Sequence, residues 1–216
     1  MKVLAVNGSP RKNRNTATLL EAALEGATSV GAQTELVHLR DLNGKGCASC
    51  FACKLKDGRF VGRCALRDDL SPVLQRAMES DVVILGSPIY LGGVTAAAKA
   101  FLERLVFPCL SYDTPDRTCF EGRIATGFVY AMGMPHDRVE AAGYPHLFEE
   151  NKRYLELLGG PSEYVISADN YQFDDYARYA ASNFDEPHKA AVRAERFPQE
   201  LQAARTMGAR LCKQAE

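Results

Sequence analysis

Strand-like apolar segments alternate with helical segments along this chain, and two of the strand-like segments run into the same tripeptide, Gly-Ser-Pro. Residues 3–6 and 82–85 are wholly apolar, as expected of strands that are buried on both faces of a parallel sheet. Strands that alternate with helices predict βαβ units, a parallel sheet and right-handed crossovers. This alternation limits the chain to a small set of architectures.

The complete order along the chain has five strands. We expect them at residues 2–7, 34–39, 81–86, 123–130 and 163–167, with helices at 16–30, 69–79 and 95–107, one that ends at 151–158, and further helices up to Lys213. Asn15 and Asp69 are the expected N-caps of the first two helices. The prediction is an α/β fold with a doubly wound five-stranded parallel sheet of strand order 2-1-3-4-5.

The length of 216 residues favours a single domain over 1–216. Within it we expect a cysteine-bearing insertion at about 41–67. We also expect a C-terminal helical extension at about 173–216, for which the roles of a lid and of an oligomer contact are both open.

Charge and hydropathy exclude several functions. The net charge of −1 gives no basic field that would attract nucleic acid, and it also lacks the strong acidity with which small electron carriers steer their partners. No apolar run approaches the roughly 20 residues that span a bilayer, and the start of the chain has no signal-like cleavage region. We therefore expect a cytoplasmic protein that acts on neither nucleic acid nor membrane, and whose seven cysteines do not form a disulfide framework.

The first Gly-Ser-Pro opens a polar loop, residues 8–16, that leaves a strand and enters a helix. A helix N-terminus offers unpaired N–H groups and partial positive charge to an anion. The loop adds the hydroxyls of Ser9 and Thr16, the amide of Asn15 and the guanidinium of Arg11, a set that suits a terminal phosphomonoester. It lacks both Gly-x-x-x-x-Gly-Lys and Gly-x-Gly-x-x-Gly, which disfavours a passing pyrophosphate. The alternative is an ordinary polar loop with an Asn cap and a solvated basic cluster.

The second Gly-Ser-Pro opens residues 86–93, beside the first loop across the expected switch point of the sheet. Ligands of open α/β sheets bind at the carboxyl ends of the strands there. Pro88 stiffens this turn, Gly92 and Gly93 allow close backbone approach, and Tyr90 offers a face to a planar ring. The alternative is a simple turn with Tyr90 in the core, but two compatible loops at matching strand positions favour a ligand.

Gly-Ser-Pro-Arg-x-x-x-Asn-Thr after the first strand, with Gly-Ser-Pro-Ile-Tyr-x-Gly after the third, resembles the NADPH-dependent FMN reductase and iron–sulfur flavoprotein branch of the flavodoxin-like superfamily. The resemblance implies FMN as cofactor. It implies that the phosphate is held by Ser9, Arg11, Asn15 and Thr16, and that the ribityl chain and ring are lined by Pro88, Ile89, Tyr90 and Gly92. The neighbouring Ala17, Leu91 and Gly93 are also expected to contact the cofactor. A third flavin loop is expected at residues 130–133, with Met132 and Gly133 in contact.

Four cysteines form the second strong motif, Cys47-x2-Cys50-x2-Cys53-x10-Cys64. Three thiolates at i, i+3 and i+6, with a fourth from a following loop, can complete the coordination of zinc or of a [4Fe–4S] cluster. The family has such a set just before an Asp-Asp-Leu like that at residues 68–70, but with a shorter final gap. No metal, a [4Fe–4S] cluster, zinc and redox-active thiols therefore all stay open.

The favoured interpretation is an FMN-dependent oxidoreductase that takes hydride from NAD(P)H and passes electrons to a small-molecule or protein acceptor. The chemistry belongs to the flavin, so that no catalytic side chain is named. The resemblance implies a homodimer or higher homo-oligomer. The alternative is an iron–sulfur flavoprotein that shuttles electrons through FMN and a cluster at Cys47, Cys50, Cys53 and Cys64 without being an NAD(P)H enzyme. A redox-sensing regulator is a third class, supported only by the cysteines.

Overall fold

The structure is a computed structural model that describes residues 1–215, and a parallel sheet lies at its centre. The strands are β1 (Lys2–Asn7), β2 (Gln33–His38), β3 (Val82–Tyr90), β4 (Gly93–Val94), β5 (Ile124–Ala131) and β6 (Gly159–Ser167). The helices are α1 (Asn15–Ser29), α2 (Leu70–Met78), α3 (Ala96–Val106), α4 (Tyr144–Leu155), α5 (Glu186–Glu195) and α6 (Phe197–Ala215). Short 3-10 turns at 39–41, 52–54, 136–138, 156–158 and 176–178 connect them.

Five of the six strands form the parallel sheet in the order β2-β1-β3-β5-β6, and β4 pairs only with the end of β3, antiparallel. When this two-residue strand is set aside, the observed order is the predicted 2-1-3-4-5. The prediction of a doubly wound α/β fold is confirmed. The sheet places the carboxyl ends of β1, β3 and β5 side by side, in the register that joins Asn7 to Gly86 and Gly86 to Val129.

Each face of the sheet has its own layer of buried side chains. One layer packs α1 and α6 against Val3, Ala5 and Ile84. The other packs α2, α3 and α4 against Leu4, Val83 and Phe128. This distribution follows from the period-2 geometry of strands, which sends alternate apolar residues of β1 and β3 to opposite faces.

Helix α6 lies directly against α1, at backbone contact distance. An added Cβ at Gly26 would stand 1.9 Å from the carbonyl oxygen of Arg205, and one at Gly208 would stand 1.9 Å from that of Ala23. Only glycine permits this approach. The last helix of the expected C-terminal extension therefore belongs to the packed helical layer, while the segment before α5 runs over the carboxyl edge of the sheet.

One expected cap and one expected loop are wrong in detail. Arg14, not Asn15, is the N-cap of α1, and it provides no side-chain cap. Asp69 is the N-cap of α2 as expected, but its side chain accepts from the backbone N–H of Asn43 and not from the helix. Residues 86–90, expected in a loop, continue β3, because 86–88 pair with β5 and 89–90 pair with β4, where the chain folds back. Among residues 1–215 no helix is long and apolar enough to cross a membrane.

Candidate functional site

The first and third strands end at one place because hydrogen bonds tie the two Gly-Ser-Pro segments together. The N–H of Gly8 donates to the carbonyl of Gly86 at 2.7 Å, and the hydroxyl of Thr95 donates to the carbonyl of Gly8 at 2.7 Å. The same hydroxyl caps α3 by accepting from the N–H of Ala98. A Cβ at Gly8 would lie 2.7 Å from that of Ala98, so the residue type is fixed by this contact.

The start of α1 lies at the carboxyl end of β1 with its first amides uncapped by any side chain. The first helical hydrogen bond runs from the N–H of Thr18 to the carbonyl of Arg14. The N–H groups of residues 15–17 therefore precede the internal bonding of the helix and face outward. Just before them, Ser9 Oγ accepts from the N–H of Arg11, which shapes the loop. Uncapped N–H groups at a helix N-terminus attract an anion.

A crevice at this edge joins all three segments that the sequence predicts as flavin loops. Of the predicted residues, it is lined by Ser9, Arg11, Asn15, Thr16, Pro88, Ile89, Tyr90, Met132 and Gly133. The enclosed part is only about 40 Å³, too small for a ring system. Any planar ring bound here lies on the open rim, next to the half-exposed Tyr90.

Four other predicted residues lie outside this lining. Ala17 is buried in α1, below the crevice. Leu91, Gly92 and Gly93 form the tip of the β3–β4 hairpin, where Leu91 has a φ of 50° and is fully exposed. A Cβ added at Gly92 or Gly93 would meet no atom within 4 Å, which means that the space above the tip is open. The tip therefore borders the rim and leaves it accessible.

The C-terminal segment that follows β6 covers the crevice from the other side. Arg11 Nη1 donates to the carbonyl of Gln172 at 2.7 Å, and Asn15 Nδ2 donates to the carbonyl of Tyr171 at 3.1 Å. Arg14 pairs with Asp174, and the hydrogen bond from this guanidinium holds the pKa of the carboxyl below its usual range. Loop residues near the start of the chain are thus joined to residues about 160 positions further on.

The third loop is fixed by the same segment. Asn170 donates from its backbone N–H and from Nδ2 to the carbonyl of Met132, at 3.0 and 3.2 Å. Lys189 Nζ donates to the carbonyl of Gly133 at 3.0 Å and to Asp169 Oδ1 at 2.7 Å. The side chains of Lys189 and Asp169 are only 4% and 6% exposed, so their pairing compensates two buried charges.

The second motif also forms a site. The four predicted ligands Cys47, Cys50, Cys53 and Cys64 line one cavity of about 250 Å³, together with Phe51, Phe107, Arg104 and their neighbours. No three His, Cys, Asp or Glu side chains within residues 1–215 are arranged around a single metal-ion position. The four cysteines thus share a cavity, but no three of them are grouped around one ion position.

Two cations hold the cysteine-bearing loop in place. Arg104 is fully buried and donates to Asp68 at 2.6 Å and to the Sγ of Cys64 at 3.3 Å. Lys54 donates to the carbonyls of Phe107, Pro108 and Leu110, which follow α3. Burial raises the pKa of the Cys53 thiol, and the charge of Lys54 offsets this only in part.

Cys109, which is not one of the four, is a fully buried thiol near this cavity. Burial raises the pKa of Cys109 to about 12, so that it stays a protonated thiol at neutral pH. It is not among the residues that line the cavity.

Several residues of the site are not among those predicted from the sequence. They are Arg14, Asn170, Gln172, Lys189 and Arg193, and most of them come from the segment after β6. No local motif marks them, because their role depends on long-range contacts. Only the richness of this segment in charge and aromatic residues pointed to it.

Comparison with known proteins agrees with this geometry. Residues 1–151 match the family model described as NADPH-dependent FMN reductase. An iron–sulfur flavoprotein of Archaeoglobus fulgidus is 42% identical over 104 residues, which cover 48% of either chain. One of Methanocaldococcus jannaschii is 35% identical over 133 residues, 62% of either chain. The matches thus span between about half and three fifths of these relatives' own length.

Solved structures extend the likeness to the whole fold. An NAD(P)H:quinone oxidoreductase from Methanothermobacter marburgensis superimposes with a TM-score of 0.68 at 16% identity, over 98% of this chain and 96% of that one. An azoreductase from Bacillus anthracis gives a TM-score of 0.67 at 16% identity, over 97% and 99%. At such identities the likeness shows the flavodoxin-like fold, with its C-terminal helices included.

Proposed function

This chain belongs to the NADPH-dependent FMN reductase family, and on that premise we propose that it binds FMN at the crevice and works as an NAD(P)H-dependent flavin oxidoreductase. The observation that carries the proposal is the meeting of three loops at the carboxyl ends of β1, β3 and β5. The first two loops contain the Gly-Ser-Pro segments, and the third follows β5, which pairs with β3. This is the switch point at which open α/β sheets bind ligands.

The donor set fits the phosphate of FMN. The uncapped N–H groups at the start of α1, the guanidinium of Arg11 and the amide of Asn15 are all hydrogen-bond donors, and they carry positive or partial positive charge. A terminal phosphate is a dianion with three acceptor oxygens. Ser9 and Thr16 add hydroxyls from the walls, where both residues are buried.

When bound, FMN supplies hydride and electron transfer, and the chain's residues bind and orient it. Tyr90, at the end of β3, would border a bound ring on one side, and Met132 and Gly133 would border it from the third loop. Because the rim is open, a nicotinamide and then an acceptor can reach the same face in turn. The acceptor is a small molecule or a protein, and none of the site's side chains is needed as acid or nucleophile.

The test of FMN binding removes two side-chain donors, Arg11 and Asn15, from the phosphate end of the crevice. With Arg11→Ala and Asn15→Ala combined, the affinity of the apo-protein for FMN should fall at least about 100-fold, since charge-assisted hydrogen bonds contribute about 1.5–3 kcal/mol each. Titration followed by quenching of flavin fluorescence measures this. Asn13→Ala is the matched control, because Asn13 is exposed in the same loop. Equal affinities of the double variant and the wild type would refute the phosphate site.

A second function is favoured by the cysteine cavity. In that alternative, Cys47, Cys50, Cys53 and Cys64 hold a [4Fe–4S] cluster, and the protein is an electron carrier that receives electrons from other redox proteins. The residues present fit the group, because four thiols line one cavity of about 250 Å³ and Arg104 offsets negative charge at its wall. The cluster would supply one-electron transfer beside the flavin.

Anaerobic purification separates the two functions. About four iron per chain, with a broad absorption near 400 nm over the flavin bands, identifies the carrier. Flavin bleaching by NADPH at catalytic rates in iron-free protein identifies the reductase. Cys64→Ser should lower the iron content in the first case and leave bleaching unchanged in the second.

We further propose one domain and a homo-oligomer. The support for the oligomer is the hairpin tip, where Leu91 is fully exposed and Tyr90 half-exposed next to the ring side of the crevice. A second copy of the chain that covers this tip would shield both side chains. Light scattering of the purified protein measures its molar mass and so its oligomeric state. The mass of a monomer would contradict the proposal.

A further inference from the structure

Two guanidinium groups line the phosphate end of the crevice, and a third contacts Asn15, which also lines it. Arg11 and Arg14 belong to the first loop, whereas Arg193 comes from α5. Its Nη1 lies 2.7 Å from Oδ1 of Asn15, 178 positions earlier in the chain. Within residues 1–215, Asp174 is the one carboxylate hydrogen-bonded to any of the three, through Arg14. Positive charge is therefore in excess at this point.

Arg193 is held in this position by its own packing. Its guanidinium lies 3.7 Å from the ring centroid of Phe197, which is buried. Burial, and next the charge of Arg14, lower the pKa of Arg193, whereas the charge of Glu200 raises it. A guanidinium stays protonated in proteins nonetheless, so Arg14 and Arg193 both carry positive charge. An anion close to both relieves their repulsion.

The contact also decides how the Asn15 amide is turned. An amide has one acceptor end and one donor end. Because Arg193 donates to Oδ1, the N–H2 group of Asn15 is left for other partners, and it donates to the carbonyl of Tyr171 at 3.1 Å. An N–H2 group is what an anion requires. The arrangement thus prepares Asn15 as a donor.

On the basis of the proposed function, we propose that Arg193 is a positioning residue for the flavin phosphate. It keeps the donor end of Asn15 available to the anion and adds a third positive charge to the phosphate end of the site. The C-terminal part of the chain, outside residues 1–151 that match the family model, thereby makes the site selective for a flavin with a terminal phosphate over riboflavin.

The test compares two ligands that differ only in the phosphate. In Arg193→Met, the dissociation constant of FMN should rise about tenfold, whereas that of riboflavin stays unchanged, because only the phosphate senses the lost charge and the freed amide. Arg193→Lys retains the charge without the planar fork and should give an intermediate FMN affinity. Arg196→Met is the matched control, since Arg196 is exposed at the end of the same helix and lines a different cavity, that of His136.

Two outcomes overturn the inference. An equal loss for FMN and riboflavin in Arg193→Met shows a merely structural role through Phe197, and unchanged FMN affinity shows no role. If that variant fails to fold, Arg193→Gln, which retains a planar donor without charge, should show a smaller loss that is still specific to the phosphate. If the wild-type protein binds no FMN, the proposed function itself is overturned. If it binds FMN, the role of Arg193 is decided by comparing the FMN and riboflavin affinities of the variants.

Discussion

Replacing Lys189 with methionine removes a cation that the fold has buried beside the third loop. Lys189 Nζ makes two hydrogen bonds, to Asp169 Oδ1 at 2.7 Å and to the carbonyl of Gly133 at 3.0 Å. Methionine has a similar length and retains most of the packing. The variant therefore isolates the loss of charge from the loss of volume.

The size of the effect follows from the burial of the pair. Breaking a buried ion pair by removing one partner costs about 3–5 kcal/mol, because the other charge is left without compensation. Asp169 still has His188 Nε2 at 2.7 Å, so we expect the lower end, about 3 kcal/mol. For a chain of this length that lowers the melting temperature by roughly 10 °C.

Urea unfolding followed by circular dichroism measures the free energy of unfolding of the variant. The double variant Lys189→Met with Asp169→Asn should regain part of the loss, because no unpaired carboxylate remains. Arg205→Met is the control: it opens an exposed ion pair with Glu25 and should leave the stability nearly unchanged. A loss below about 1 kcal/mol in Lys189→Met, or no recovery in the double variant, would refute the reasoning.

Two further predictions concern the pH dependence of stability and the reactivity of the clustered thiols. Burial raises the pKa of Asp169, but the hydrogen bonds from Lys189 and His188 outweigh it and leave the pKa below its ordinary value. The stabilisation by Asp169 is therefore complete above the unfolded pKa of about 3.9, and it is lost as the pH falls through the lower folded pKa. The urea midpoint of the wild type should therefore decrease when the pH is lowered below about 4, and that of Asp169→Asn should decrease less. Equal pH profiles of the two proteins would contradict this. Arg104 donates hydrogen bonds to the loop carbonyls of Leu66 and Lys45 at 2.9 and 3.0 Å. Because Arg104→Met removes these bonds and loosens the cysteine-bearing loop, the clustered thiols should react faster with a thiol reagent. An unchanged rate contradicts this.

Local signals in the sequence determined the sheet and two of its loops. The apolar segments of β1 and β3 and the Gly-Ser-Pro that follows each predict strands whose ends meet, and the structure joins Gly8 to Gly86 there. Such signals are readable because strand burial and tight turns depend on a few consecutive residues. The cysteine spacing likewise predicts that the four thiols share one site, and they line one cavity.

Details that depend on distant residues were decided only by the tertiary structure. Asn15 looks like an N-cap in the sequence, but Arg193 and Tyr171 take its amide, so Arg14 becomes the cap. Residues 86–90 look like a loop, but pairing with β5 and then with β4 makes them a strand. Local preference is worth about 1 kcal/mol at a cap, and tertiary contacts exceed it.

The segment that covers the crevice shows most clearly what depends on the tertiary structure. The carbonyls of Tyr171 and Gln172 and the buried Lys189 have no sequence signature as site residues, since backbone carbonyls belong to every residue and a lone lysine is ordinarily exposed. They reach the loops only because α6 packs on α1 and carries the segment between β6 and α5 across the sheet edge. The sequence by itself therefore predicts the loop that binds a phosphate, whereas the fold decides which distant charges surround that loop.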